Sequence, residues 1–158
     1  IFKFGNIEFK IILVPGHTNG HVCFYSDKEK IIFTGDTLFS LGCGRVFEGT
    51  YQQMLESLNK IKNLPKQTSI YCGHEYTKKN LDFCLEVELN NPFLKEKKKW
   101  INLKISKKEP TIPVTIEEEL NTNIFLRCDV PSVKKFLGME NSPGVEIFKK
   151  LRDLKDSF

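Results

Sequence analysis

The sequence contains no alanine, and only three of its 24 basic residues are arginine. The formal net charge is +4, which by itself is compatible with binding to nucleic acid. The lysines, however, are spread along the chain and mixed with glutamate, as in the run from Lys95 to Lys99. Such mixing favours a solvated surface over a phosphate-binding one, so we expect no nucleic-acid partner.

Long apolar runs are also missing. No segment approaches the roughly 18 to 20 apolar residues of a membrane span, and the first residues carry no hydrophobic signal-peptide core. Because the chain starts with Ile1 and not with methionine, we expect it to be a piece of a longer one. Its five cysteines form no CxxC pair, which favours reduced, buried thiols and a cytoplasmic location with no membrane partner.

A globular composition remains, with 158 residues of which 40% are hydrophobic. The first half alternates short β-branched and aromatic runs with turns that contain glycine, which predicts strands. A helix is predicted between the third and fourth of these strands, because Thr50 and Gln53 form a capping-box pair ahead of an apolar face. The predicted strands are Ile7–Val14, Val22–Ser26, Ile31–Thr34 and Ser69–Cys72.

The second half is mostly helical in pattern. Leu81, Cys84 and Leu85 recur at helical spacing, and Asn91 followed by Pro92 is typical of a helix start. The segment Lys108–Thr115 contains two prolines and is predicted to be extended. Two further helices are expected near Pro131–Leu137 and from Ser142-Pro143 to the end. Strands that pack against helices in this order predict a layered α/β architecture.

Three polar residues follow predicted strands, and each lies beside a glycine: His17, Asp36 and His74. Loops at strand ends are a common location for chemistry, because rigid strands hold the side chains in place. Two imidazoles and a carboxylate form a common ligand set for zinc or iron. Each residue alone is equally compatible with an ordinary turn, so spacing leaves both interpretations open. His21 begins a strand, and we expect it to support the site without binding a metal.

Four longer motifs occur in order and resemble one known family. They are GHTNGH from Gly16, TGDTLF from Thr34, GCGRVFEGT from Gly42 and YCGHEYT from Tyr71. The closing RDLKDSF from Arg152 is similar to that family's R-x-x-K-D-x-F. Together they resemble glyoxalase II, the hydroxyacylglutathione hydrolase of the metallo-β-lactamase superfamily, lacking its N-terminal part. The implied fold is a partial αββα sandwich over residues 1–77, followed by a small helical substrate-binding domain over residues 78–158.

The resemblance also implies a chemistry. His17 and His74 would each bind one of two divalent metal ions, most simply zinc, with iron or manganese as alternatives. Asp36 would bridge both ions, and the hydroxide that they hold would attack S-lactoylglutathione or a related 2-hydroxyacyl thioester. No catalytic serine or cysteine is then needed, so the cysteines are expected to be buried apolar groups. The family further implies a role in methylglyoxal degradation and a monomer when complete.

Glutathione has two carboxylates, and arginine's planar fork suits such groups better than lysine does. By resemblance, Arg152 and Lys155 would hold the glycine end of glutathione, and Arg45 and Phe47 would lie beside the metals and the thiol. Tyr76 would donate a hydroxyl hydrogen bond to the peptide.

One family motif, T-H-x-H-x-D-H, has no counterpart in this sequence, so only three of the seven expected metal ligands are present. We therefore expect a fragment of a complete enzyme, or the product of a split or decayed gene. Two alternatives to an active hydrolase remain open: a non-catalytic fragment or decayed gene product, and a related persulfide dioxygenase with one iron, which needs neither the histidine of GHEYT nor the closing R-x-x-K-D-x-F. The same absence implies that the chain exposes an apolar sheet face that the complete fold covers.

Overall fold

The computed structural model describes residues 1–158 and is built on a six-stranded mixed sheet with the order β1-β2-β3-β4-β7-β8. Strands β1 to β4 are antiparallel neighbours, whereas β4 and β7 are parallel and are connected through helix α1. A separate two-stranded hairpin, β5–β6, lies between β4 and α1 in the chain. The strands are β1 Phe2–Phe4, β2 Ile7–Leu13, β3 Val22–Ser26, β4 Ile31–Gly35, β5 Leu38–Phe39, β6 Gly42–Cys43, β7 Ser69–Cys72 and β8 Val114–Thr115.

Six α-helices accompany the strands, and local sequence signals explain most of their starts. The predicted capping box at Thr50 and Gln53 is confirmed, and Asn91 accepts hydrogen bonds from two backbone amides at the start of α3. The helices are α1 Tyr51–Lys62, α2 Thr77–Val87, α3 Pro92–Ser106, α4 Ile116–Thr122, α5 Pro131–Leu137 and α6 Gly144–Ser157. A 3₁₀ turn, Ile124–Leu126, follows α4. None of these helices is both long and apolar enough to cross a bilayer.

The four predicted strands and the helices from the second half are confirmed to within one or two residues at most ends. The elements that were missed are β1, the β5–β6 hairpin, α4 and the 3₁₀ turn. The sequence did carry a signal for α4, because Thr115 and Glu118 form a second capping box. The predicted extended segment Lys108–Thr115 is confirmed, and its last two residues add β8 to the sheet.

The helices cover one face of the sheet. A continuous core of 27 buried residues joins sheet residues such as Ile32 and Ile70 to helical residues such as Phe125 and Phe148. The core thus crosses the expected domain boundary at residues 77 and 78, and the division into two domains stays a proposal.

The opposite face of the sheet is apolar but open to solvent. Phe4 is 72% exposed, and Leu13, Ile11 and Phe33 are between 42% and 54% exposed. A depression of about 500 Å³ on this face is lined only by apolar residues of β1 to β4 and their ends, and they are Phe2, Phe4, Ile7, Phe9, Phe24, Ile31 and Phe33. The expected exposed apolar sheet face is therefore confirmed, and it is the kind of surface that a second layer covers.

Candidate metal site

The three predicted ligands lie at one edge of the sheet. Strand β3 is antiparallel to both β2 and β4, and β7 is parallel to β4, so β2, β4 and β7 all run in the same direction. Their carboxyl ends therefore reach the same edge, and His17, Asp36 and His74 each follow one of these ends. The topology thus brings together three side chains that are up to 57 positions apart in the sequence.

Asp36 lies between the two imidazoles. His17 Nε2 is 3.5 Å from Asp36 Oδ2, and His74 Nε2 is 3.5 Å from Asp36 Oδ1. Each imidazole thus faces a different carboxylate oxygen. No group of three or more histidine, cysteine, aspartate or glutamate side chains is arranged to hold a metal ion. The arrangement consists of two half-sites that share Asp36.

Hydrogen bonds on the far side of the site orient these groups. His17 Nδ1 is 2.9 Å from the carbonyl oxygen of Arg45, so this nitrogen carries the proton and Nε2 is left free to face Asp36. The backbone N–H of Asp36 donates to His21 Nε2 over 3.1 Å. His21 was predicted to support the site, and in the structure its imidazole accepts a hydrogen bond from the backbone of Asp36.

Two glycines allow the site to be this compact. A Cβ atom at Gly73 would lie 2.6 Å from Asp36 Oδ1, and a Cβ atom at Gly44 would overlap the carbonyl oxygen of Asp36. Any larger residue would therefore displace the carboxylate or the turn that carries it. This close approach explains why glycine stands beside the site on two separate loops.

The three cations predicted to bind glutathione have different environments. Arg152 is only 4% exposed, and each of its three guanidinium nitrogens donates a hydrogen bond, Nη1 to the carbonyl oxygen of Cys43 and Nε and Nη2 to Asp156 Oδ1. The side chain of Arg45 is 60% exposed, with Nε 3.4 Å from the same Asp156 oxygen. Lys155 donates to the carbonyl oxygen of Lys79. Burial lowers the pKa of Lys155, although nearby acidic groups oppose the shift.

The two predicted aromatic contacts flank the histidines. The ring centroid of Phe47 lies 5.1 Å from that of His17, and Tyr76 stacks on His74 at 5.1 Å with an interplanar angle of 18°. Phe47 and Tyr76 are 66% and 48% exposed, so both can reach a ligand at this edge. The structure brings these two side chains to the site. Arg152 and Lys155 lie on α6 instead, where Arg152 bonds to Cys43 at the end of β6 and Lys155 bonds to Lys79 on α2.

The cysteines are poor nucleophiles. Burial raises the pKa of the Cys43 thiol to about 11 and that of the Cys84 thiol to about 12. A thiol with such a pKa stays protonated near neutral pH and does not attack a substrate. The expectation that the cysteines are buried apolar groups holds for four of the five, and Cys72 is half-buried.

Comparisons with known proteins show the family of this chain. Residues 1–74 match the metallo-beta-lactamase superfamily, and residues 75–158 match the family described as hydroxyacylglutathione hydrolase C-terminus. The chain belongs to the hydroxyacylglutathione hydrolase family. Membership in this family and the metallo-β-lactamase-like fold imply that divalent metal is bound. The family and the fold class predicted from the sequence are therefore confirmed.

Two curated relatives and one solved structure show how similar this chain is to known proteins. The hydroxyacylglutathione hydrolase of Pelagibacter ubique is 56% identical over 97% of this chain and 58% of its own length. That of Chelativorans sp. is 49% identical over the whole chain and 62% of its own length. The crystal structure of BLEG-1, a B3 metallo-beta-lactamase, has a TM-score of 0.52 at 26% identity, covering 79% of this chain and 44% of its own. The chain thus spans about three fifths of the length of the curated relatives it matches.

Proposed function

We propose that this chain is part of a thioester hydrolase that cleaves S-(2-hydroxyacyl)glutathione, above all S-lactoylglutathione, to glutathione and a 2-hydroxy acid. The observation that carries the proposal is the position of Asp36, whose two oxygens face His17 and His74 separately. The names of the relatives from Pelagibacter and Chelativorans support the same activity. We further propose a role in methylglyoxal degradation, a cytoplasmic location and a monomeric complete enzyme, with neither nucleic acid nor membrane as a partner.

The donor atoms at this edge fit divalent cations. An imidazole nitrogen and a carboxylate oxygen are available on each side of Asp36, so we propose two ions, zinc first, with iron or manganese as alternatives that the same ligands accept. When bound, such ions act as Lewis acids that activate water and polarise a thioester carbonyl. Each side offers two donors, fewer than the four that zinc usually takes. We therefore propose that the remaining ligands come from outside these 158 residues.

The chain's own residues would hold and orient the substrate. Arg45 is exposed beside the site and can pair with a carboxylate of glutathione, and Lys155 offers a second cation. Phe47 and Tyr76 flank the two histidines and can enclose the thioester end of the substrate. Arg152 is already bonded to Asp156 and Cys43, so its contribution to a ligand carboxylate stays a proposal that rests on the family resemblance.

The names of the relatives favour a hydrolase over the two alternatives weighed from the sequence, a persulfide dioxygenase and a non-catalytic fragment. The test is a chimera in which the unmatched upstream segment of the Pelagibacter ubique enzyme precedes this chain. We expect the chimera to hydrolyse S-lactoylglutathione and to hold two metal ions per chain by elemental analysis. The 158-residue chain alone should hold close to none.

Asp36→Asn in the chimera should lower turnover by at least about 100-fold and reduce the metal content, because a neutral amide is a weak bridging ligand. Asp27→Asn is the matched control, since Asp27 lies in the β3–β4 turn at the opposite end of the sheet. A folded chimera that binds two metals but leaves the thioester intact would contradict the proposed function. Oxygen consumption with a glutathione persulfide would identify the dioxygenase instead.

A further inference from the structure

The β5–β6 hairpin connects two parts of the candidate site. Asp36 precedes its first strand by two residues, and Arg45, whose carbonyl oxygen contacts His17, follows its second strand by two residues. The Gly44 amide also donates to the carbonyl oxygen of Thr37 across the base of the hairpin. The placement of the hairpin therefore sets where the His17 and Asp36 loops lie relative to one another.

The tip of this hairpin, residues 39–42, is fully buried, yet it is a turn whose backbone groups cannot all pair with one another. Leu41 has a positive φ of 61° and no exposed surface. A buried N–H or C=O group without a partner costs about 1 to 3 kcal/mol, so a buried turn of this kind needs polar partners from elsewhere in the fold.

Four side chains from the helical half supply those partners. The Leu41 N–H donates to Glu119 Oε2 over 2.8 Å, and its carbonyl oxygen accepts from Cys84 Sγ at 3.2 Å. Asn80 Nδ2 donates to the carbonyl oxygen of Ser40 over 3.0 Å. Asn123 Nδ2 is 3.1 Å from the carbonyl oxygen of Gly42, 3.4 Å from that of Phe39 and 2.9 Å from Glu119 Oε2. Backbone groups of Ser40, Leu41 and Gly42 are thus bonded to side chains from the helical half, and the Phe39 carbonyl oxygen lies 3.4 Å from the same Asn123 nitrogen.

Glu119 and Asn123 are fixed in turn. Both have no exposed surface, and Asn123 Oδ1 accepts from the backbone N–H of Phe125 over 3.0 Å, which sets the orientation of its amide. Because Glu119 Oε2 accepts from both the Leu41 N–H and Asn123 Nδ2, one oxygen atom joins the tip to α4 and to the residue that ends it.

We propose that Glu119 and Asn123 are positioning residues for the candidate site: by anchoring the hairpin tip they hold the Arg45 carbonyl oxygen against His17 Nδ1. They touch no metal ligand and no reacting atom, so they act through the hairpin. The inference deepens the proposed function, since it concerns the same site. Its test uses neither metal nor substrate and therefore succeeds or fails independently of thioesterase activity.

The first measurement needs no variant. In the native 158-residue chain the Leu41 amide should exchange with deuterium as slowly as the amides of β3 and β4. Exchange as fast as that of the exposed loop residues Asn19 and Gly20 would overturn the proposal.

The second measurement uses Glu119→Leu, which removes the acceptor but keeps a similar volume. We expect peptides that cover residues 37–47 to exchange roughly 10 to 100 times faster, the range that corresponds to one lost buried hydrogen bond, while β3 and β4 stay protected. The chain has only three histidines, so ¹⁵N-histidine labelling resolves the ring of His17. Its Nδ1–H tautomer at pH 8 should give way to a mixture of the two tautomers.

Glu119→Gln keeps an acceptor oxygen for the Leu41 amide and should restore slow exchange and the Nδ1–H tautomer. Glu117→Gln is the matched control, because Glu117 lies exposed on the same helix. A Glu119→Leu chain with protected strands, an unchanged His17 ring and unchanged exchange at residues 37–47 would overturn the proposal.

If Glu119→Leu fails to protect its strands, Asn123→Ser decides, since it removes the amide donor to the Gly42 carbonyl oxygen but keeps a side-chain oxygen for the Phe125 N–H. Faster exchange at residues 37–47 would then support the proposal, and unchanged exchange would contradict it.

Discussion

Two groups of residues in this chain were predicted to bind ligands, and they differ in how many of their polar groups are already bonded within the protein. The strand-end rim, which consists of His17, Asp36 and His74, directs ligand atoms at one another across 3.5 Å. The cation cluster, which consists of Arg45, Arg152 and Lys155, is largely bonded within the protein, and Arg152 has almost no exposed surface.

The difference shows that a side chain of a suitable type is not necessarily available to bind a ligand. The family resemblance implied a binding role for Arg152. A buried guanidinium, however, needs several acceptors for its donors, and here a carboxylate and a backbone carbonyl supply them. The imidazoles of the rim each have one nitrogen directed at the shared carboxylate, so donor atoms of both types lie side by side there.

The largest effect should come from the buried member of the cation cluster. Arg152→Met should lower the free energy of unfolding by about 2 to 4 kcal/mol, because it leaves the buried Cys43 carbonyl oxygen without its donor and removes two hydrogen bonds to Asp156. Urea denaturation of the 158-residue chain measures this change.

Arg45→Met is the control, since the Arg45 side chain is 60% exposed and its contact with Asp156 at 3.4 Å contributes less than about 0.5 kcal/mol. Equal destabilisation by the two substitutions would contradict the distinction between Arg152 as a structural cation and Arg45 as a cation that is free to bind a ligand.

A second prediction concerns Glu119, the α4 residue whose carboxylate accepts the hydrogen bond of the hairpin tip. Burial raises the pKa of Glu119 to about 7, although Asn123, the Leu41 amide and Lys97 oppose the shift, while Glu118 adds to it. Between the ordinary carboxyl pKa of 4.5 and pH 7 the folded chain therefore binds one more proton than the unfolded chain. Stability from this group is thus highest at low pH and falls as pH rises through 7.

Glu119→Gln cannot ionise and lacks this dependence. Relative to the native chain, its free energy of unfolding should improve between pH 4.5 and pH 8 by up to about 3 kcal/mol, at 1.36 kcal/mol per pKa unit. Urea denaturation at several pH values measures the difference. Parallel pH profiles for the two chains would show that the carboxyl group at the tip does not titrate in this range.

The smallest effect is expected at the rim itself. Tyr76→Phe keeps the ring that stacks on His74 but removes the hydroxyl group. In the active chimera we expect KM for S-lactoylglutathione to rise about fivefold, equivalent to about 1 kcal/mol, with kcat and the melting temperature unchanged. Tyr71→Phe is a suitable control, because the Tyr71 ring lies on the open face of the sheet against Phe33. A loss in kcat without a change in KM would place the hydroxyl group in catalysis instead of substrate binding.

The rim could be predicted because its signals are local. Each ligand follows an apolar strand directly and lies beside a glycine, and such patterns can be read from a few residues at a time. The starts of α1 and α3 were predictable for the same reason, since capping residues act on backbone groups within the next turn.

The hairpin could not be predicted in this way. Its strands are two residues long and entirely buried, so they show no alternation of apolar and polar residues. Glu119 was also missed, because a glutamate in an acidic run is typical of a solvated surface. In the structure it has no exposed surface and accepts a hydrogen bond from the backbone of a turn 78 positions away.

The sequence was sufficient to predict the family, the strand-and-helix order and the three polar residues that meet at the strand ends, because motifs and capping patterns depend on neighbours in the chain. Which polar groups are already bonded depends on the fold: Arg152 to Cys43, Glu119 to Leu41, His17 to Arg45. Hydrogen-bond partners separated by many residues are selected by packing, since burial penalises every polar group that lacks one.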